Sequence, residues 1–429
     1  MRDHCETRYG EFVTYLARVV DELLGELLTV MGGVLLEGPR ACGKTETALQ
    51  QAASSVRFDA SPELVRLAAL SPATVLDGAT PRLVDEWQLA PIIWNSMRHA
   101  IDVRQKPGQF IISGSASPPP DKTRHSGAGR IARLRLRPMA LAESGCSSGD
   151  VSLAELTSGA QRVSGRSPLS YEELARQAVR GGWPGLLQST EQQAVRFNRS
   201  YVDDLATVDI PTATGVRHEP ARIRRLLASL GRNIATEATL TKLAADVGAD
   251  GKPVDPGTIR DYLDALTAVF AYEELPAWSA SLRSRTRLRS SPRLHLADPA
   301  VALAALGVGS DRLMHQPDYF GQVFEAMAIR DLRTYAAAVD ATAHHYRDST
   351  GLEADAILEF ADWSWAAIEV KLGSADIPQA EANLLKLARE RIDTDKAGQP
   401  KFLAVVTGTE FAYTLPSMVH VIPLATLKQ

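Results

Sequence analysis

The sequence predicts an α/β protein, with a parallel sheet near its N-terminus and a second α/β unit near its C-terminus. Residues 38–45 read GPRACGKT and directly follow the apolar run 34–36, which is the strand–loop–helix pattern of a phosphate-binding loop. Short apolar runs then alternate with helical stretches as far as residue 137, as βαβ units do. A comparable alternation resumes near residue 316.

The elements of the first unit follow from hydrophobic periodicity. We expect strands at 34–36, 56–58, 83–84, 110–112 and 131–137, and helices at 11–28, 44–53, 61–70 and 91–104. Alternating strands and helices of this kind favour a parallel sheet that is covered by helices on both faces.

The glycine-rich loop predicts an ATP-binding site. Its glycines allow backbone N–H groups to turn towards a phosphate, and the helix that follows presents its positive end to the same place. Lys44 is expected to reach the outer phosphate oxygens, and the Thr45 hydroxyl to ligate Mg²⁺. Arg40 either contacts phosphate or caps the turn. The candidate ATP-binding residues are Gly38, Pro39, Arg40, Ala41, Cys42, Gly43, Lys44 and Thr45.

Polar residues at the ends of the later strands extend the site. Asp85 and Glu86 close the third apolar run, where Asp85 would hold Mg²⁺ and Glu86 would activate the attacking water. Ser113, or its neighbour Ser115, is the candidate sensor of the outer phosphate on the next strand. Arg130 is a candidate arginine finger, with an ordinary surface arginine as the alternative.

The composition excludes several classes of protein. The net charge of −4 gives the chain as a whole no basic attraction to nucleic acid. Cys5, Cys42 and Cys146 are odd in number and far apart, which suits a reducing compartment and predicts neither a disulfide framework nor a zinc site. No apolar run reaches the length of a membrane span and no signal-peptide pattern opens the chain, so we expect a cytoplasmic protein without a membrane partner.

The middle of the chain reads as an insertion followed by helices. Residues 144–167 are rich in serine and glycine and predict a flexible insertion. Helices at 221–232, 240–247 and 256–269, with strands at 270–275 and 294–296, follow the pattern of a winged helix. A run of alternating arginines beside the wing either contacts phosphates of DNA or RNA or forms a solvated hairpin. These arginines are Arg283, Arg285, Arg287, Arg289 and Arg293.

An acidic group near the C-terminus predicts a second metal site. We expect a helix at 319–339, strands at 344–347, 354–360, 365–370 and 402–407, and a helix at 378–391. Asp355 and Glu369 fall on consecutive strands, and Lys371 points to the same side as Glu369. The two carboxylates, with Glu325 from the preceding helix, could hold Mg²⁺ while Lys371 polarises water. A fold that keeps these residues without catalysis is the alternative.

Several blocks of the sequence resemble one known family. It comprises bacterial and archaeal AAA-type ATPases whose C-terminal half carries a domain of unknown function with a restriction-endonuclease-like core. The resemblance implies an AAA-type core, a winged-helix segment and a nuclease-like C-terminal domain, and it supports the metal site at Asp355. The chain departs from the family by a longer insertion after Glu143 and by Trp87. The matching blocks are 36–45, 84–88 with Pro91, 112–115, 129–130, 136–139 with Glu143, 181–184, 321–325 and 369–371.

These observations together predict a Mg²⁺-dependent ATP-hydrolysing protein that couples its nucleotide state to a nuclease-like domain. The alternatives are a nucleotide-gated switch acting through protein partners, and a metal-dependent nuclease regulated by ATP. DNA, RNA, a protein partner or further copies of the chain are the partners left open. The expected domains are an ATPase core at 1–145, the insertion at 146–170, a helical lid at 171–235, a winged-helix-like domain at 236–315 and a nuclease-like domain at 316–429.

Overall fold

The structure is a computed structural model that describes residues 15–116, 125–215, 218–248, 252–280 and 291–429. The start of the predicted first helix, up to residue 14, lies outside these ranges. The first unit contains helices α1 (Val19–Val30), α2 (Lys44–Leu49), α3 (Pro62–Leu70), α4 (Pro72–Leu76) and α5 (Ile93–Arg104). Its strands are β1 (Gly33–Glu37), β2 (Ser54–Arg57), β3 (Arg82–Asp85), β4 (Phe110–Gly114) and β5 (Ile131–Arg135).

A parallel sheet organises this unit. Among the described residues its five strands follow the order β2-β3-β4-β1-β5, and every neighbouring pair runs parallel. The central strands are buried because helices pack on both faces, which explains their apolar sequences. The carboxyl ends of β1, β3 and β4 therefore meet at one edge, where the residues that follow them lie close together.

The serine- and glycine-rich segment is ordered, so the prediction of a flexible insertion was wrong. It contains β6 (Val151–Ser152), α6 (Leu153–Thr157) and β7 (Gly165–Arg166). Val151, Leu153 and Leu156 are each at most 3% exposed. β6 pairs with β16 (Leu427–Lys428), and β7 pairs with β14 (Phe411–Thr414), so the segment packs against the C-terminal end of the chain.

Helices dominate the middle of the chain. A Ser170–Glu173 capping box begins α7, and Pro256 at the first turn of α12 sets the start of that helix. The three predicted helices of the winged-helix-like region and its two antiparallel strands are present with nearly the predicted bounds. The elements are α7 (Tyr171–Arg180), α8 (Glu191–Asp204), α9 (Ile210–Thr214), α10 (Pro220–Arg232), α11 (Leu240–Val247), α12 (Pro256–Ala268), β8 (Tyr272–Leu275), β9 (Arg293–Leu296), α13 (Pro299–Leu306) and α14 (Ser310–Met314).

A mixed sheet forms the C-terminal unit. In the described ranges its seven strands follow the order β10-β11-β12-β13-β15-β14-β7, with β12, β13 and β15 parallel. Helix α15 (Pro317–Ala337) packs on this sheet and contributes thirteen buried residues. The remaining elements are β10 (Ala341–Arg347), β11 (Glu353–Phe360), β12 (Trp365–Lys371), α16 (Ile377–Lys386), α17 (Thr394–Ala397), β13 (Leu403–Thr407) and β15 (Val419–Pro423). The sequence predicted neither β14 nor β15 nor β16.

Within the part of the chain that the structure describes, every helix is too short or too polar to cross a bilayer.

Candidate functional site

The glycine-rich loop joins the end of β1 to the start of α2. Gly43 adopts a left-handed conformation with φ 100°, which glycine adopts at little cost. A Cβ at Gly38 would lie 2.0 Å from the carbonyl oxygen of Leu136, so only glycine fits there. Lys44 is 6% exposed, and its Nζ donates to the carbonyl oxygens of Gly38 (2.9 Å) and Pro39 (2.8 Å). The lysine amine therefore lies within the curve of the loop.

Three predicted residues meet at the carboxyl edge of the sheet. The Thr45 hydroxyl donates to Asp85 Oδ2 at 3.0 Å, and the Ser113 hydroxyl donates to Asp85 Oδ1. Asp85 is 1% exposed, and Arg57 Nε lies 3.6 Å from its Oδ2. A hydroxyl and a carboxylate side by side are oxygen donors of the kind that Mg²⁺ prefers. The donor set at this edge thus fits a Mg²⁺–nucleotide complex.

Glu86 follows Asp85 and lines a cavity beside the glycine-rich loop. Its backbone is left-handed, with φ 52°, and its Oε2 accepts hydrogen bonds from Gln88 Nε2 and from the Ser115 hydroxyl (3.4 Å). Gln88 was absent from the predicted site residues, although it lies only two positions after Glu86. Its amide restrains the carboxylate that the sequence identifies as the catalytic base.

The cavity beside the loop has a volume of about 440 Å³. Arg40 lies at its rim and forms an ion pair with Asp209, at the junction of α8 and α9. This pair links the loop to the helical middle of the chain. The cavity is lined by Arg40, Ala41, Gly43, Lys44, Thr45, Glu46, Glu86 and Ser115.

A buried ion pair between Arg18 and Glu143 contacts the glycine-rich loop. Arg18 Nη1 donates to the carbonyl oxygen of Cys42 at 2.9 Å, and Arg18 Nε lies 3.0 Å from Glu143 Oε1. Glu143 also accepts from the backbone N–H groups of Val19 (2.8 Å) and Ala140 (2.9 Å). Sequence reasoning gave neither Arg18 nor Glu143 a role, because 125 positions separate them.

Arg130 does not reach the loop of its own chain. It precedes β5, whose first residue Ile131 pairs with Gly33, the first residue of β1. Because the strands are parallel, Arg130 lies at the amino edge of the sheet, opposite the loop. Its Nε contacts Asp102 Oδ1 at 2.9 Å on the protein surface. A finger acting within one chain is therefore excluded by strand direction, and action on a neighbouring copy stays a prediction.

The predicted C-terminal residues do lie together, with an arginine among them. Arg293 Nη1 contacts Glu325 Oε1 (2.6 Å) and Asp355 Oδ1 (3.0 Å), and its Nη2 contacts Glu353 Oε2 (2.6 Å). Lys371 Nζ lies 2.7 Å from Glu369 Oε2 and 3.6 Å from Asp355 Oδ2. We call this group the C-terminal carboxylate cluster. It consists of Glu325, Glu353, Asp355 and Glu369 with the cations Arg293 and Lys371.

Burial and the repulsion between neighbouring carboxylates shift the pKa values of residues in this cluster. Burial, followed by the neighbouring Asp355, raises the pKa of Glu325 well above its ordinary value. The same two causes raise the pKa of Glu369 to about 7, against the opposing effect of Lys371. Burial alone would lower the pKa of Arg293, but Glu325 and Asp355 outweigh it and raise that pKa. The surroundings of Glu325 therefore disfavour the charged form of its carboxyl group.

The cluster contains an arginine, Arg293, which the predicted metal site did not include. Within the described residues, no group of three or more His, Cys, Asp or Glu side chains is arranged to hold a metal ion. For Arg293, both predicted alternatives, a contact with nucleic-acid phosphates and a solvated hairpin, are wrong, because its side chain is 6% exposed and pairs with carboxylates. The four other residues of that basic run, Arg283, Arg285, Arg287 and Arg289, lie outside the described ranges.

Comparison with known families divides the chain into three matched regions. Residues 32–145 match the AAA domain family, residues 171–312 match a domain of unknown function (DUF8612), and residues 320–427 match another (DUF4143). The first region, which contains the glycine-rich loop, is therefore similar to AAA-type P-loop domains. The predicted order of an AAA-type domain and a C-terminal domain of unknown function is confirmed, whereas the nuclease-like character of the C-terminal unit stays a prediction.

Individual proteins similar to this chain add the following. The uncharacterized protein Mb2031c of Mycobacterium bovis and the uncharacterized protein Rv2008c of Mycobacterium tuberculosis are each 25% identical to it over 309 residues, or 71% of the chain. The match spans 63% of the length of these relatives. Among solved structures, the Walker-type ATPase PABY2304 of Pyrococcus abyssi aligns over 66% of this chain and 94% of its own, with 13% identity and a TM-score of 0.42. A DNA replication initiation factor aligns over 58% and 86%, with 14% identity and a TM-score of 0.24.

Proposed function

We propose that the chain is a Mg²⁺-dependent ATPase of the AAA class, since residues 32–145 match the AAA domain family. The observation that carries the proposal is that the hydroxyls of Thr45 and Ser113 both donate to Asp85, at the sheet edge where Glu86 also lies. A loop that only bound nucleotide would need Lys44 and Thr45 but no carboxylate able to activate water. The presence of Glu86 in the same cavity therefore favours hydrolysis.

Each residue has a distinct part in this proposal. Lys44 exchanges the carbonyl oxygens of its own loop for phosphate oxygens, which its three N–H donors can reach as a compact charge. Thr45 and Asp85 hold Mg²⁺, which when bound neutralises the charge on the phosphates. Glu86 accepts a proton from the attacking water. Its carboxylate is the group to which Gln88 and Ser115 donate hydrogen bonds. Ser113 fixes the orientation of the Asp85 carboxylate.

We propose further that the nucleotide state is transmitted to the C-terminal unit through the segment after β5. Arg18 joins the loop to Glu143, and the neighbouring backbone N–H of Leu141 donates to Asp331 Oδ2 at 2.9 Å. The N–H of Ala142 donates to the Tyr335 hydroxyl at 3.0 Å. Asp331 and Tyr335 belong to α15, the helix that also carries Glu325 of the carboxylate cluster. A continuous series of contacts thus connects the loop with that cluster.

The experiment that tests the proposal compares nucleotide binding with hydrolysis in two variants. Lys44→Ala is expected to abolish ATP binding, because the loop loses its only lysine. Glu86→Gln is expected to bind ATP normally and to lower kcat at least 100-fold, which is about the contribution of a general base. Binding is measured by calorimetry and turnover by phosphate release.

Matched controls use exposed residues of the same types. Lys396, 80% exposed in its side chain, and the exposed Glu63 lie away from the cavity. Lys396→Ala and Glu63→Gln should therefore leave both measurements unchanged. Equal turnover in wild type and Glu86→Gln would remove Glu86 as the base, and unchanged ATP binding in Lys44→Ala would remove the loop as the site.

A nucleotide-gated switch without C-terminal catalysis is the second candidate, and the contact of Arg293 with Glu325 and Asp355 favours it. It would bind protein partners according to nucleotide state and turn over slowly. The other alternative, an ATP-regulated nuclease with a restriction-endonuclease-like core, requires that cleavage of DNA or RNA is lost in Asp355→Ala and Lys371→Ala. Cleavage that persists in both variants would contradict that assignment.

A further inference from the structure

We propose that the guanidinium of Arg293 takes the place of a divalent cation in the C-terminal carboxylate cluster. While Arg293 is in position, the carboxylates surround its guanidinium and bind no metal ion; when Arg293 is removed, we expect them to close around one. This inference concerns the C-terminal unit and does not depend on the proposed ATPase activity.

The positions of the nitrogen atoms carry the inference. Arg293 Nη1 lies 2.6 Å from Glu325 Oε1 and 3.0 Å from Asp355 Oδ1, so it occupies the space between the two carboxylates. A Mg²⁺ ion shared by these carboxylates would need that space, because its oxygen ligands lie at about 2.0–2.1 Å. The guanidinium and the ion therefore exclude each other.

The remaining carboxylate oxygens also have partners. Asp355 Oδ2 accepts a hydrogen bond from the backbone N–H of Val370 at 2.8 Å, and Lys371 Nζ lies 3.6 Å from it. Lys371 Nζ also contacts Glu369 Oε2 at 2.7 Å. Magnesium binds near-octahedrally through several oxygens and releases water reluctantly. The cluster offers it oxygens whose charge two side-chain cations already offset in part.

Arg293 is fixed in this position by its backbone. It opens β9 and is paired with Leu275 of β8. The next residue, Leu294, donates to the carbonyl oxygen of Thr236 (3.0 Å) and accepts from the N–H of Ala235 (3.1 Å). The side chain is 6% exposed. Arg293 is therefore part of the packed interior.

The planar guanidinium explains how one side chain satisfies carboxylates from two elements. Its five N–H donors spread in a fork, so it contacts Glu325 on α15 and both Glu353 and Asp355 on β11. Truncation of Arg293 would remove the cation that contacts Glu325 and would leave Asp355 with Lys371 alone. A divalent cation would then relieve their mutual repulsion.

The test measures Mn²⁺ binding to the whole chain in the absence of nucleotide. Binding is followed by the loss of the electron paramagnetic resonance signal of free Mn²⁺. Wild type and Asp355→Asn are expected to bind the same number of Mn²⁺ ions. Arg293→Ala is expected to bind one more ion per chain, and Arg293→Ala/Asp355→Asn is expected to lose it. Mn²⁺ should also raise the melting temperature of Arg293→Ala by more than it raises that of wild type.

Two results would overturn the inference. One is a Mn²⁺ ion in wild type that disappears in Asp355→Asn, since Arg293 would then not exclude the metal. The other is a folded Arg293→Ala protein that gains no ion. If Arg293→Ala does not fold, Arg293→Ala/Glu353→Gln replaces it, because this pair removes one of the acids that Arg293 contacts and keeps Glu325, Asp355 and Glu369. The readout needs no ATP, so its failure is distinct from a failure of the proposed ATPase function.

Discussion

Replacement of Arg18 by alanine is expected to lower the free energy of unfolding of the N-terminal unit by about 3–5 kcal/mol, the cost of leaving one partner of a buried ion pair alone. The side chains of Arg18 and Glu143 are each only 2% exposed, so water cannot replace the lost partner. Arg18 also donates to the carbonyl oxygens of Cys42 (2.9 Å) and Arg137 (2.8 Å). Because Cys42 belongs to the glycine-rich loop, the variant should also bind ATP more weakly.

Thermal unfolding measures the first effect. A loss of this size corresponds to a fall in melting temperature on the order of 10 °C for a unit of this size. The matched control is Arg222→Ala, since Arg222 pairs with Glu219 on the surface with both side chains more than 40% exposed. That change should cost less than about 1 kcal/mol. The double variant Arg18→Met/Glu143→Leu removes both charges together and should cost much less than the two single changes combined.

The reasoning about Arg18 would be refuted by a melting temperature within about 2 °C of wild type, or by single-variant effects that simply add in the double variant. Either result would mean that the ion pair contributes little to the stability of the loop.

Two further predictions concern the loop and the C-terminal sheet. Gly38→Ala is expected to abolish ATP binding, because its Cβ would lie 2.0 Å from a backbone oxygen, whereas Gly185→Ala meets nothing within 4 Å and should bind ATP normally; calorimetry on both variants checks this. Burial lowers the pKa of His345 to about 4, so on acidification the unfolded chain takes up the proton first and stability should be lost as the pH falls from about 6.5 towards 4. Thermal unfolding between pH 7 and pH 4 measures this loss, and His345→Gln should reduce it; an identical pH dependence in that variant would contradict the assignment.

Local patterns were enough to predict the first sheet and the polar residues that meet at its carboxyl edge. The loop at 38–45 and the polar residues Asp85, Glu86 and Ser113 each follow a short apolar run, and parallel strands bring such ends to one edge. The contacts among Thr45, Asp85 and Ser113 are therefore a consequence of strand order. The sequence around Arg18 gives no such indication. Its contact with Glu143 depends on how several elements pack, because 125 positions separate the two residues.

Predictions from composition were less successful. The segment after Glu143 is rich in serine and glycine, but its few apolar residues, such as Val151, are buried against strands more than 250 positions later. Arg293 shares a basic run with its neighbours in sequence, yet its contacts lie 32 to 62 positions further on, in α15 and β11. Charge within a run of residues does not reveal which of them will be buried, because burial is decided by tertiary packing.

The strands β6 and β7 make the C-terminal unit discontinuous in sequence. Ser148 N donates to the carbonyl oxygen of Ala425 (2.8 Å), and the Ser147 hydroxyl donates to that of Leu427 (2.8 Å), next to the pairing of β6 with β16. A fragment that began at residue 316 would lack both strands and would expose unpaired edges at β14 and β16, which favour aggregation. During synthesis, moreover, residues 151–166 must wait for more than 240 further residues before their partner strands leave the ribosome. Folding of residues 151–166 is thus coupled to that of β14 and β16, which complete a structure that the segment after the first unit began.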